Sequence, residues 1–254
     1  MVAAISIGFA LALFAVLLGF MQLGRHFAAH RDASASSRGA VAVEGAIFAL
    51  MGLLIAFTFS AAQSRLDKRR TLIIDEANAI GTAYLRIDLL PAAAQPGLRD
   101  AFRAYTDSRI AYYQKFTDLR AAAAECQHTA ALARQIWRDG TAAVKASPDP
   151  KVPSLIIPSL NEMIDLEATR VSFRHIHAPV PIFVLLIVMA FACSLFAGVG
   201  MGRRELDSRL YPMAFAALLT ITVLMIVDIE FPRVGFININ ALDYLLKDVR
   251  AGMN

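Results

Sequence analysis

The sequence predicts an all-α membrane protein with four transmembrane helices and a helical domain between the second and the third. Four long uncharged stretches support this prediction: Val2–Gly24, Gly45–Ser64, Ala178–Gly202 and Leu210–Val227. Each is close to the roughly 20 apolar residues that a helix needs to cross hydrocarbon. The composition agrees, because 57% of the 254 residues are hydrophobic and only 18% are charged, whereas about a quarter are charged in soluble domains.

The four spans form two pairs that flank one large polar region. We therefore divide the chain into residues 1–62 with the first two spans, 63–177 as a helical domain, 178–230 with the last two spans, and 231–254 as an amphipathic C-terminal segment. The first span is expected to be a retained helix. The triplet Ala33-Ser34-Ala35 resembles a signal-peptide cleavage site, but it lies well beyond the apolar run, and no Lys or Arg precedes that run.

The region between the pairs is predicted to be helical throughout, because it is rich in Ala, Leu, Arg and Glu and lacks alternating runs of Val and Ile. The second span is expected to continue as one helix to Leu90, with Pro91 ending it. Further helices are expected over about 98–116, 117–146 and 159–177. The last of these should lead into the third span at Pro179.

The charges bear on topology and on partners. Lys and Arg are slightly more numerous at the span ends that adjoin the middle domain, which predicts a cytoplasmic location for that domain and for both termini. The net charge of +4 is small and the basic residues cluster at span ends, so nucleic acid is not expected as a partner. The lipid bilayer is the expected surrounding.

Candidate catalytic and metal-binding motifs are missing from the sequence. Cys126 lies in the polar region and Cys193 in the third span, so no disulfide is expected, and neither belongs to a CxxC pair. The sequence has no GxSxG, HExxH or phosphate-binding loop. We therefore expect neither an enzyme nor a bound metal or other cofactor.

The second span has faces of different character. Bulky apolar residues recur every four positions at Ile47, Met51, Ile55 and Phe59. This bulky stripe suits either packing within a monomer or a constriction around a symmetry axis, where rings of large apolar side chains gate ions by dewetting. A second stripe is small throughout and is expected to be a seam against another helix or subunit; it comprises Gly45, Ala49, Gly52, Ala56 and Ser60.

Three carboxylates stand at span ends: Glu44 opens the second span, and Asp228 and Glu230 close the fourth. Ionisable residues near a membrane often mark ion pathways, although a solvated carboxylate at the membrane boundary is the alternative. Asp228 and Glu230 are therefore a possible acidic ion site. Their spacing does not place them on one helical face.

Two stretches of the chain carry longer sequence patterns, of which the first is the more specific. One lies within Glu44–Pro91 and reads AIFALMGLLIAFTFSAAQSRLDKRRTLIIDEANAIGTAYLRIDLLP; the other, Asp228–Asn240, reads DIEFPRVGFININ. Both resemble segments of the bestrophin-like family of bacterial membrane proteins, and the resemblance covers nearly the whole chain. Bestrophins are pentameric ion channels whose second span lines the pore with three bulky apolar residues at i, i+4 and i+8. They also carry an acidic, calcium-binding run after the last span, where this chain has only Asp228 and Glu230.

The resemblance implies a homo-oligomer in a bacterial inner membrane, most simply a pentamer, that passes small inorganic ions. Met51, Ile55 and Phe59 match the bestrophin neck pattern, and the pore-lining or pore-mouth positions would be Glu44, Ile47, Thr58 and Ala62. The alternative is a non-conducting scaffold whose cytoplasmic domain binds a partner. A transporter fits less well, because transporters break their helices near the midplane, and Pro212 lies at a span end.

Overall fold

The protein is predominantly helical over the residues that the structure describes. The computed structural model describes residues 2–29, 38–115, 118–174, 176–203, 209–232, 236–237 and 239–253. The α-helices are α1 Val2–Ala29, α2 Arg38–Leu85, α3 Gln95–Gln114, α4 Leu119–Ala146, α5 Val152–Phe173, α6 Val180–Arg203, α7 Leu210–Glu230 and α8 Tyr244–Ala251. Short 3-10 helices cover Arg86–Leu89 and Asn240–Asp243. No strand occurs in these ranges, so the all-α prediction is confirmed.

Four of these helices are long and apolar enough to cross a membrane, as predicted. The spans cover Ser6–Ala29, Gly39–Leu89, Val180–Gly202 and Leu210–Glu230. The chain divides into two compact units. The first unit comprises Met1–Leu66 and His177–Asn238, and the second comprises Asp67–Ile176 and Ile239–Asn254. The long helix α2 contributes its first part to the first unit and its last part to the second.

The first unit is built on a close contact between α1 and α6. A Cβ atom added at Gly24 would lie 2.1 Å from the carbonyl oxygen of Leu195, and one added at Gly198 would lie 2.0 Å from that of Met21. Only glycine permits such an approach, and small residues at contact points are how helices associate in lipid. Leu17 and Met21 of α1 are buried in the resulting core.

The second unit packs the last part of α2 with α3, α4, α5 and α8. An apolar stripe on this part of α2 is buried, with Ile73, Ala77 and Ile80 all below 4% exposed. Asp118 is the N-cap of helix α4, and its side chain accepts hydrogen bonds from the backbone N–H groups of Arg120 and Ala121. Leu246 of α8 is buried in the same core.

Two predicted helix boundaries need correction. Helix α5 begins at Val152, not near residue 159, because Pro153 is tolerated in the first helical turn and Pro158 is accommodated inside the helix. The third span does not continue from the bundle. Residues 176–179 are not helical, and α6 starts afresh at Val180. Pro179 explains this break, since the residue before a proline disfavours the helical conformation.

Candidate functional site on the second helix

Within the first unit, α2 is the least covered of the spanning helices. Only 6% of the residues in its most apolar stretch are buried, compared with 22% for the span in α1 and 28% for those in α6 and α7. The face that is covered carries Met51, which is 4% exposed, and Ala62, which is fully buried. Ile47 and Ile55 are half-buried on the same side and pack against the first unit's core.

The three residues predicted to form the neck differ in their burial within the chain. Met51, Ile55 and Phe59 do not share one environment: Met51 is buried in the core of its own chain, Ile55 is half-buried, and Phe59 is 42% exposed. A step of four residues turns a helix by about 40° beyond a full turn, so the stripe rotates by about 80° over eight residues. Met51 and Ile55 are therefore occupied by packing within the chain.

The other predicted lining positions lie on the covered face as well. Thr58 is half-buried, and its hydroxyl donates within the helix to the carbonyl oxygens of Leu54 at 2.8 Å and Ile55 at 3.1 Å. Glu44 and Ile47 are half-buried, and Ala62 is fully buried. The heptad-like set 44, 47, 51, 55, 58 and 62 is thus the side of α2 that packs on its own unit.

The uncovered face of α2 contains the small stripe. All five of its residues are exposed, namely Gly45, Ala49, Gly52, Ala56 and Ser60. A Cβ atom added at Gly45 or Gly52 would meet no atom of the described chain within 4 Å. Beside the stripe lie two large apolar side chains, Leu53 at 51% exposure and Phe57 at 66%. The predicted seam has no partner helix within the described part of the first unit, so it is a surface available to another molecule.

The carboxylates at the end of α7 have separate structural partners. Glu230 is fully buried and forms a bidentate ion pair with Arg65, in which Nη2 lies 2.7 Å and Nε 3.0 Å from its oxygens. It also accepts a hydrogen bond from the backbone N–H of Ala178. Asp228 accepts hydrogen bonds from the backbone N–H groups of Phe236 and Ile237 at 2.9 and 2.6 Å.

These contacts give Asp228 and Glu230 a role in fastening the segments around α7. Both carboxylates accept hydrogen bonds from N–H donors, in the geometry of an ion pair for Glu230 and of a cap for Asp228. In the described part of the chain, no group of three or more His, Cys, Asp or Glu side chains is arranged to hold a metal ion. Cys126 is half-buried in the second unit, and Cys193 is buried in the first.

The second unit contains a buried charge network that the sequence analysis did not anticipate. The Glu76 carboxylate of α2 is fully buried and forms ion pairs with Arg109 of α3 and Arg170 of α5. The Arg170 guanidinium also lies 3.9 Å from the centre of the Tyr113 ring, and Arg109 donates to the Tyr113 hydroxyl at 2.6 Å. Three helices are thereby joined through one carboxylate.

A second carboxylate stands at the edge of this network. Glu167 of α5 lies 3.6 Å from Nη1 of Arg109. Burial raises the pKa of Glu167, although the charge of Arg109 opposes the shift. Burial alone would lower the pKa of Arg109, but the charge of Glu76 and its hydrogen bond, together with Tyr113 and Tyr105, outweigh burial and hold the pKa well above its usual value. Arg109 therefore stays charged inside the bundle.

A sequence signal for this network exists. Arg109 lies four residues after Tyr105 and three before Tyr112, so it shares the face of α3 that carries these two buried aromatic residues. Glu76 lies three residues after Ile73 and four before Ile80, at helical spacing within the apolar stripe of α2. Charged residues at buried helical positions are almost always paired, so the positions of Glu76 and Arg109 in apolar stripes indicate that they pair with opposite charges.

An all-α fold with four spanning helices, one of them largely uncovered, defines a multi-pass membrane protein. The family model described as Bestrophin-like domain matches residues 10–243. The chain therefore belongs to the bestrophin-like family, and the resemblance seen in the sequence is confirmed. No curated protein and no solved structure matches the chain.

Proposed function

We propose that the chain is one subunit of a homo-oligomeric ion channel, most simply a pentamer, in which the uncovered face of α2 lines the axis and the contacts between neighbours. The observation that carries the proposal is the exposure of α2, since only 6% of the residues in its most apolar stretch are buried. Membership of the bestrophin-like family, which is related to bestrophin channels, supports it. A bacterial inner membrane and a cytoplasmic second unit belong to the same proposal.

The small residues on this face favour helix contact over plain exposure to lipid. Gly45, Ala49, Gly52 and Ala56 would let the α2 helices of neighbouring subunits approach closely. The direction opposite the covered face points toward Leu53, with Phe57 beside it. We assign the apolar constriction to these two side chains, because rings of exposed large apolar groups around an axis act as a dewetting gate.

Cysteine accessibility tests this assignment. In a full-length protein lacking the native thiols (Cys126→Ser with Cys193→Ser), we expect Leu53→Cys and Phe57→Cys to react with a charged, water-soluble thiosulfonate reagent. The reaction should reduce ion flux in liposomes, because it places a charged group in the water path. Met51→Cys and Ala62→Cys are the matched controls, since both positions are buried within the subunit, and they should stay unmodified.

The outcome that contradicts the assignment is equally definite. If Leu53→Cys and Phe57→Cys remain unmodified while the liposomes conduct, these side chains face lipid and another surface lines the path. If liposomes containing the unmodified protein carry no current and the protein is a monomer or dimer, the channel proposal fails. The non-conducting scaffold is then favoured.

A further inference from the structure

The second unit carries two grooves of opposite charge on different sides of α5. The acidic groove, of about 670 Å³, lies between α2 and α5. Its carboxylates are Asp75, Glu162 and Asp165, accompanied by the amides of Asn78 and Asn161. Glu162 and Asp165 are exposed, and none of the three carboxylates forms an ion pair within the described part of the chain.

The basic groove, of about 440 Å³, lies between α4 and α5. Arg134 and Arg138 form its exposed rim, and the half-buried Trp137 forms part of its wall. Glu167 also lines this groove, but its side chain is only 11% exposed and faces Arg109. The accessible charge of the groove is therefore positive. Neither rim arginine makes an ion pair with another described residue.

The unpaired arginines of the basic groove in one copy are complementary in charge to the unpaired carboxylates of the acidic groove in another copy. Arg134 and Arg138 stand one turn apart, about 6 Å along α4, and Glu162 and Asp165 stand about 4.5 Å apart along α5. Long arginine side chains on an exposed rim can reach into a concave acidic groove, and the guanidinium fork pairs with carboxylates through two parallel hydrogen bonds. We propose that the arginines on the rim of one subunit's basic groove enter the acidic groove of the next subunit. A second copy of this chain is then the partner of both grooves.

The placement of the grooves favours a ring over a two-fold dimer. At about 100° per residue, the α5 residues of the two grooves are centred roughly 150° apart around that helix. One neighbour cannot cover both sides, so each subunit contacts two different neighbours through two different surfaces. Such head-to-tail contacts generate closed rings when successive copies do not climb along the axis. Both grooves lie along the same turns of α5, so the two contacts do not differ in level along that helix.

This inference rests on the proposed function and adds to it the surfaces that hold the ring together. The test reverses the charges in full-length protein and counts subunits by native mass spectrometry in detergent. Glu162→Lys with Asp165→Lys, and separately Arg134→Glu with Arg138→Glu, should each shift the protein from the wild-type ring toward single subunits. The four substitutions combined in one chain restore opposite charges across the contact and should restore the ring.

A matched control reverses two exposed charges of α8 that line neither groove, Lys247→Glu with Asp248→Lys, and should leave the ring intact. Helical circular dichroism checks that every variant is folded. If the wild type is a ring and both double variants remain rings, or if the fourfold variant is folded but does not reassemble, the docking proposal is overturned while the channel proposal stands. A wild type that is itself a single subunit overturns both.

Discussion

At the scale of single residues, the stability of the second unit depends on a carboxylate that serves two arginines. Glu76 is fully buried, and so is Arg109, while the side chain of Arg170 is 7% exposed. Burying these charges is unfavourable by itself, and the pairing of both arginines with Glu76 is a large part of what compensates. The network is therefore sensitive to the loss of its single shared anion, because two guanidinium groups would then remain buried without it.

Replacing that anion should destabilise the protein strongly. We expect Glu76→Gln to lower the free energy of unfolding by about 3–5 kcal/mol, the usual result of removing one partner from a buried ion pair. The control is Asp107→Asn, which removes an exposed pair with Arg250 and should cost no more than about 1 kcal/mol. Thermal or denaturant unfolding of the purified protein in detergent measures both. Equal losses of unfolding free energy in the two variants would show that the buried network stabilises the protein no more than an exposed ion pair does.

At the scale of helices, the contact between α1 and α6 depends on backbone proximity. Gly198 faces the backbone of Met21, whereas Gly200, two residues along α6, has no atom of the described chain within 4 Å of an added Cβ. The two glycines thus differ in surroundings while sharing the same helix and nearly the same depth. This difference allows a single methyl group to probe the contact.

We expect Gly198→Ala to destabilise the first unit and Gly200→Ala to be nearly neutral. The added methyl at residue 198 would lie 2.0 Å from the carbonyl oxygen of Met21, and a backbone cannot yield as a flexible side chain can. The helices would have to separate, at a cost of about 1–3 kcal/mol or more, as in other overpacked sites. The melting temperature in detergent measures the effect. Similar melting temperatures for the two variants would mean that α1 and α6 do not approach so closely.

The two faces of α2 show how far sequence patterns can predict this site. The pattern correctly separates a bulky stripe from a small one, and it predicts one helix running from the second span to near Leu90. It does not say which stripe packs inside the subunit. In lipid, both faces are apolar, and no hydrophobic difference drives one of them inward. Which stripe packs inside the subunit depends on the helices that α2 contacts, and these are distant in sequence. One of them is α7, where the ring of Phe215 contacts that of Phe48 edge to face.

At the scale of the whole molecule, the chain leaves the second unit at Ile176 and returns to it after Asn238. From the sequence, residues 231–254 are predicted only as one amphipathic segment, because no local pattern identifies the surface against which a helix as short as α8 packs. The returning segment is bound at several points. Arg103 donates to the carbonyl oxygen of Met253 at 3.2 Å, and Arg250 pairs with Asp107 at 2.8 Å.

The C-terminal helix should therefore be required for the stability of the second unit. Leu246 is fully buried in the core of that unit, whereas Tyr244, two residues earlier, is 53% exposed. We expect Leu246→Ala to lower the free energy of unfolding by about 2–5 kcal/mol, since it leaves a cavity, and Tyr244→Ala to have little effect.

Hydrogen exchange followed by mass spectrometry locates the change. Protection should fall in α3, which α8 contacts, and stay unchanged in α1 and α6, because those helices belong to the other unit. Unchanged protection of α3 in Leu246→Ala would mean that the C-terminal helix only covers the bundle and does not stabilise it.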